Sequence, residues 1–240
     1  ASVLVQHESD AVEYTDDSGF VFETGTNNRA TVTGYQGSET ELTIPSTVEI
    51  NGRTYTVNQI GDNAFAGCSF ASITIPGTVT TIGEYAFYYA PVTSVTFPAS
   101  LTSIETSAFE GCAVTSVTLP SSLDRIGDAA FYSSALTSVA VPEGVQTVGS
   151  DAFSNCEDLV SATFPSSVHA LSDYTFYHSQ ALVSFTWTGA ATGTYTMGKA
   201  VFYQDTALDE VELPDRLTTI GDSAFAYSGI TGFEFPGSVT

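Results

Sequence analysis

The feature that most constrains this chain is a phenylalanine that returns on a fixed beat. It falls at Phe65, Phe87, Phe109, Phe131 and Phe153, always 22 residues apart, and then at Phe176, Phe202 and Phe225 after intervals of 23, 26 and 23. Most copies follow an alanine; Thr175 and Val201 replace it in two, and Ala224 restores it. Proline keeps the same time at Pro76, Pro98, Pro120, Pro142, Pro165, Pro214 and Pro236, with Thr188 in the one place where it is missing. A third series runs five residues ahead of each Phe: Ile60, Ile82, Ile104, Ile126, Val148, Leu171, Met197 and Ile220. Three series in one phase are the signature of a stack of similar units, each unable to bury its apolar side chains alone.

One unit spans Val92 to Ala113. In Val95-Thr96-Phe97 apolar residues alternate with Thr, the period of a strand with one buried face. Pro98 ends that strand because it has no N–H to give a neighbour. From Ile104 to Ala108 and Phe109 the spacing predicts a short 3₁₀ or α turn. The acidic residue three before many of the Phe residues (Asp62, Glu84, Asp128, Asp173, Asp222) is expected to accept from the orphan N–H groups opening that turn. Stacking aligns Val95 with Ile73 and Val117, and Phe109 with Phe87 and Phe131. At roughly 4.8 Å per rung, eight rungs form a body on the order of 40 Å long. The expected architecture is an α/β solenoid, with a parallel sheet on one face and short helical turns on the other.

Residues 1–40 depart from the repeat and are expected to form an N-terminal β cap over the first rung, leaving 41–240 as the solenoid. Phe20-Val21-Phe22 and Ala30-Thr31-Val32-Thr33 read as strands joined by a turn at Thr24–Asn28, and a first strand is expected around Val3-Leu4-Val5. At the other end Thr240 arrives before the Ile and Ala-Phe of its unit, so the last repeat is incomplete; either a partner or a further domain covers it, or, the favoured reading, the chain is a fragment of a longer protein. Between Thr188 and Thr196 an insertion stretches one rung. Such an insertion either bulges from a binding face or reflects neutral loop drift.

Charge narrows the function classes. Net charge is −22, from 27 acidic residues against Arg29, Arg53, Arg125, Lys199 and Arg216. That field repels phosphate, so no nucleic-acid partner is expected. No run of about 18 apolar residues is present, so no direct membrane insertion is expected either.

Chemistry is equally sparse. Cys68, Cys112 and Cys156 each follow a repeat Phe by three residues, and successive ones lie two rungs apart, about 10 Å, beyond disulfide reach. They are expected to be free thiols filling the interior. His7 stands beside Glu8 and Asp10, while His169 and His178 occupy variable repeat positions. No Gly-x-Ser-x-Gly, His-Glu-x-x-His or phosphate-cradling glycine loop occurs. The expectation is a non-enzymatic protein with no catalytic residue, cofactor or metal.

Two surfaces could serve recognition. Outward positions on the strands form a hydroxyl-lined column, Thr74, Thr96, Thr118, Thr163 and Thr186, that turns acidic at Glu210, Glu212 and Glu234. The alternative reading of this column is an ordinary solvated sheet. On the opposite side Tyr88, Tyr132, Tyr177 and Tyr203 directly follow the repeat Phe, with Tyr227 one place further. Half-exposed tyrosines make good contact residues and equally good packing between rungs.

Units such as Ile73-Thr74-Ile75-Pro76 with Ile82-Gly83-Glu84-Tyr85-Ala86-Phe87, and Val117-Thr118-Leu119-Pro120 with Ile126-Gly127-Asp128-Ala129-Ala130-Phe131, resemble the BspA-like, or Treponema-type, leucine-rich repeats. Ile220-Gly221-Asp222-Ser223-Ala224-Phe225 matches the same pattern. The resemblance covers about residues 20 to 240 and implies a leucine-rich-repeat solenoid. It further implies a secreted or cell-surface protein whose role is adhesion, with a host or microbial surface protein or glycan as partner. A structural spacer within a larger surface protein is the alternative. A shared repeat does not by itself fix what is bound.

Overall fold

The computed structural model describes residues 11–190, 193–232 and 234–240. Most rungs contribute two short strands and one run of tight turns, so the stack carries parallel strands on two faces where the sequence predicted one sheet. In the first sheet, Glu41–Thr43, Ser72–Thr74 and Ser94–Thr96 pair in parallel, with Leu42, Ile73 and Val95 in register. A second block joins Ser138–Ala140, Ser161–Phe164, Ser184–Trp187 and Glu210–Glu212. Residues 116–119 between the blocks form no strand, which splits the sheet face in two. The second sheet is built from the segment ending in the Ile series, Thr81–Ile82, Ser103–Ile104, Arg125–Ile126 and Thr147–Val148, and a separate three-stranded sheet, Ala170–Leu171, Tyr195–Met197 and Leu217–Ile220, takes the same place in the later rungs.

Between the sheets runs the phenylalanine column. Phe65, Phe87, Phe109, Phe131, Phe153, Phe176 and Phe202 are fully buried. Ring centroids of successive members lie 4.8 to 5.7 Å apart, and the Phe109–Phe131 and Phe131–Phe153 pairs are within 7° of parallel. Apolar residues of the strands close around the column in one continuous cluster. Burying a side chain of this size is worth about 1.5–3 kcal/mol, which explains why the aromatic beat survives where the alanine beside it does not.

The Ala-Phe segments are not helical, and among the described residues no α-helix occurs. Two residues in every rung, two before and two after the Phe, have left-handed backbone: Asn63 and Gly67, Tyr85 and Tyr89, Ser107 and Gly111, and so on to Ser223 and Tyr227. A left-handed residue every fourth position interrupts right-handed winding. The backbone therefore forms overlapping tight turns, with Ala64, Ala66 and Cys68 donating to the carbonyls of Gly61, Asn63 and Phe65. The remaining N–H groups point along the stack: Asn63 to Glu84 at 2.9 Å, Phe65 to Ala86 at 2.7 Å and Gly67 to Tyr88 at 2.9 Å. The same three bonds recur at every later step as far as Ala200, Phe202 and Gln204. This turn ladder satisfies backbone groups that a single helical turn would leave orphaned.

The acidic position also works differently from the expectation. Asp62 Oδ1 accepts from the N–H of Glu84 at 2.8 Å, Asp128 from Ser150 at 2.9 Å and Asp173 from Lys199 at 2.9 Å. Each carboxylate caps the next rung and not its own turn. The glycine of the Ile-Gly pair makes room for this. A Cβ on Gly83 would stand 2.5 Å from Asp62 Oδ1 and 2.8 Å from the Asp62 nitrogen.

At the N-terminal end, Glu13–Thr15, Phe20–Thr24 and Arg29–Tyr35 form an antiparallel meander. Its last strand pairs in parallel with Arg53–Ile60, which continues into the second sheet. Phe20 meets Phe65 edge-on at 6.5 Å, so the meander lies against the start of the aromatic column. The predicted strand at Val3-Leu4-Val5, and His7 with its acidic neighbours, lie outside the described residues. In the stretched rung Tyr195 is buried, stacked on His169 at 4.9 Å, and its hydroxyl donates to the Ser166 carbonyl at 3.0 Å. That anchor holds the described part of the insertion against the stack.

Candidate functional site

The hydroxyl column lies where the strand alternation places it. Thr74 faces Thr96 in one block, and Thr163, Thr186 and Glu212 stand in register in the other. Thr74, Thr96, Thr118, Thr163, Glu210, Glu212 and Glu234 are exposed, and Thr186 is half-buried. Thr118 belongs to the strandless seam and Glu234 to no strand, so the column is less regular than its sequence. At its acidic end a depression of about 410 Å³ is lined by Ser184, Thr186, Asp209, Glu210 and Glu212. Small hydroxyls and carboxylates offer hydrogen bonds here, with little apolar area to bury.

The tyrosine side is richer and divides into two clusters. In the first, Tyr88 touches Tyr85 at 5.5 Å and Tyr89 at 4.6 Å, both edge-on. The exposures of Tyr85, Tyr88 and Tyr89 are 37%, 36% and 57%. Tyr89 has left-handed backbone, and its ring covers Gly111 of the next rung, where a Cβ would come within 2.7 Å of the ring. In the second cluster Tyr177 stacks on Tyr203 at 5.2 Å, Tyr203 meets Tyr227 at 5.3 Å, and Tyr174 meets Tyr177 at 5.5 Å. Tyr227 is 71% exposed. Tyr132 stands between the clusters, its phenol pushed up by desolvation and then by the charges of Asp151 and Glu110. Desolvation, followed by Glu110, raises Tyr88 in the same way.

Sequence reasoning missed Tyr85, Tyr174 and Lys199. Tyr85 and Tyr174 occupy the left-handed position two before the Phe, which projects them beside the tyrosine one after it. The ammonium of Lys199 lies 5.1 Å from the Tyr174 ring centroid and 3.7 Å from Asp173 Oδ2. Hydrogen bonding with Tyr174, followed by the charges of Tyr174 and Asp173, holds the Lys199 ammonium above its ordinary pKa.

The position three after the Phe forms a buried polar column. Cys112 donates its thiol to the Phe87 carbonyl at 2.8 Å, Cys156 to Phe131 at 3.1 Å, and the Ser179 hydroxyl to Phe153 at 2.8 Å. All three cysteines are free. Desolvation pushes Cys112 up to about 12 and Cys156 to about 11, far from nucleophilic thiolates at neutral pH. Asp205 continues the column and is wholly buried. Oδ1 accepts from the Ser179 N–H at 2.8 Å, and Oδ2 has no partner. Burial raises its pKa to about 9. At neutral pH that carboxyl holds its proton, so Asp205 stands in the column uncharged, like Cys112, Cys156 and Ser179.

Among the described residues no group of three or more His, Cys, Asp or Glu could hold a metal ion. No helix among them is long and apolar enough to cross a membrane.

Six copies of the BspA type leucine rich repeat region match the sequence, over residues 58–183 and 125–240, more than half of its length. The chain belongs to the BspA-type leucine-rich repeat family. A leucine-rich repeat protein from Bacteroides ovatus is 29% identical, with a TM-score of 0.85 over 95% of this chain. This chain spans 60% of that protein's length. The leucine-rich repeat protein of T. pallidum is 28% identical, with a TM-score of 0.73 over 81% of this chain and 90% of its own. The pneumococcal vaccine antigen PcpA, 18% identical with a TM-score of 0.54 over 87% of this chain and 71% of its own, shares the fold alone. No curated protein matches the sequence.

Proposed function

We propose that this chain is a non-enzymatic recognition module of a secreted or cell-surface protein, binding a host or microbial surface protein or glycan. One observation carries the reading. Tyr85, Tyr88, Tyr89 and Tyr227 are four of the eight large hydrophobic side chains left exposed among the described residues, and all four project from the turn ladder. Tyrosines on a rigid frame lose little side-chain entropy on contact, and they combine apolar area with a hydroxyl. The Thr/Glu face is the secondary surface. The division into a β cap at 1–40 and a solenoid at 41–240 is part of this proposal, supported for the described residues of the cap by the seating of Phe20 on Phe65.

A spacer role is the second reading. The unbroken turn ladder favours it, because bonds at every step fix the rung-to-rung distance. The two readings separate in a binding survey against extracellular-matrix proteins and glycans. The wild type would be compared with a variant carrying Tyr85, Tyr88, Tyr89 and Tyr227 as Ala, and with one carrying Thr74, Thr96, Thr163 and Glu212 as Ala. Recognition requires at least one interaction that the tyrosine variant weakens tenfold or more. Binding that neither variant changes, or no binding at all, leaves the spacer.

A further inference from the structure

The two tyrosine clusters are copies of one corner on equivalent rungs, one filled and one open. In the rung of Phe176 the corner consists of Asp173, Tyr174 with φ 60°, and Tyr177, with the tyrosine rings 5.5 Å apart and 88° to each other. In the rung of Phe87 it consists of Glu84, Tyr85 with φ 55°, and Tyr88, with rings 5.5 Å apart and 79° to each other. The backbone frame is the same. Tyr174 donates to the carbonyl of Lys199 at 3.0 Å, and Tyr85 to that of Thr106 at 2.9 Å.

The side chains at those next-rung positions differ in one decisive way. Lys199 places its ammonium over Tyr174 and beside Asp173. Thr106 has no charge to place, so Glu84, Tyr85 and Tyr88 are left exposed. Beyond Tyr88 the next rung has Glu110 where the filled corner has Tyr203, adding a second carboxylate. The open corner thus joins two negative charges to the faces and edges of tyrosines. A cation over a tyrosine face gains about 0.5–1 kcal/mol when exposed and more when desolvated. With 27 acidic residues against five basic ones, the chain's long-range field also draws cationic partners.

We propose that the Tyr85–Tyr88 corner, flanked by Glu84 and Glu110, receives the ammonium of a lysine side chain on a partner protein, in the way Lys199 fills the corner at Tyr174. This deepens the recognition reading and rests on it.

The test uses the full chain with ¹³C-labelled tyrosine rings, titrated in the NMR tube with an end-blocked Ala-Lys-Ala-Lys-Ala peptide. The same peptide with both lysines Nε-acetylated and a neutral trisaccharide are the controls. The lysine peptide shifts the Tyr85 and Tyr88 signals, with at least tenfold weaker responses to both controls. Thr106→Lys supplies an internal ammonium and abolishes the shifts. Lys199→Thr empties the other corner, so that Tyr174 and Tyr177 begin to respond. Equal shifts from the acetylated peptide or the trisaccharide, or an undiminished lysine response in Thr106→Lys, overturn the inference. A partner found in the binding survey whose capture survives acetylation of its lysines overturns this inference while leaving recognition intact.

Discussion

Asp128 reaches one rung ahead, its Oδ1 accepting from the backbone N–H of Ser150 at 2.9 Å. Asp62 and Asp173 repeat this contact 22 and 26 residues before their partners. A residue type that usually caps a helix is here a clamp between neighbours. Asp128→Ala removes the acceptor and should cost about 1 kcal/mol, the usual net worth of one hydrogen bond. Asp128→Asn keeps an oxygen in place and should cost less than half of that. Urea denaturation of the three proteins decides it, and equal losses in both variants would show that charge matters and not the acceptor.

Phe109 is stacked on both sides, 4.8 Å from Phe87 and 5.3 Å from Phe131. Phe109→Ala opens a cavity in the column and should cost about 3–5 kcal/mol. Phe109→Leu, which keeps most of the volume, should cost clearly less. Thermal or urea unfolding reads both values.

Ala129 and Ala200 sit in left-handed backbone, with φ of 52° and 50°. Glycine relieves a strain of roughly 1–2 kcal/mol there but gives the unfolded chain more freedom, which offsets about half. Ala129→Gly should therefore stabilise by up to about 1 kcal/mol. The reverse change at the close inter-rung approach, Gly83→Ala, should destabilise, since its Cβ would meet the Asp62 backbone. Midpoints in urea check the opposite signs.

Asp205 makes stability depend on pH in an unusual direction. Its folded pKa is raised to about 9 by burial, whereas an unfolded aspartate titrates near 3.9. Between those values the folded state holds a proton that the unfolded state has released, so stability falls as pH rises. The contribution is full below about pH 4 and gone above the folded value. Asp205→Asn removes the titration, and its difference in stability from wild type should drift steadily in favour of the variant from pH 5 to pH 9. Cys156, raised to about 11 mainly by burial and least by Asp205, changes charge in the folded state only above this range, and its unfolded titration is common to both proteins. A pH-independent difference between the two proteins would contradict a protonated Asp205.

The phenylalanine, proline and isoleucine series placed the rungs and their register because period is a one-dimensional property. The strand at Ser94–Thr96 and the alignment of Ile73 with Val95 followed from it directly. The helical turn did not materialise. The spacing of Ile104, Ala108 and Phe109 suits a helix as well as it suits consecutive tight turns. The sign that separates them is the set of Gly and Asn residues two places either side of the Phe: Asn63, Gly67, Gly111 and Asn155. Other rungs hide that sign behind Tyr, Ser or Ala, which the inter-rung bonds hold in the same conformation.

The sequence alone determined that this chain is a stack, how long each unit is and which side chains fill its axis, since units that cannot bury a repeated apolar set alone bury it by stacking like on like. Tertiary structure decided where the carboxylates point, how the sheet divides at residues 116–119 and which tyrosines form corners. The carboxylate contacts join residues 22 and 26 positions apart, and the ring pairs of the corners rest on left-handed turns that bonds to the next rung hold in place. The free energy of such contacts exists only once neighbouring rungs have closed on each other.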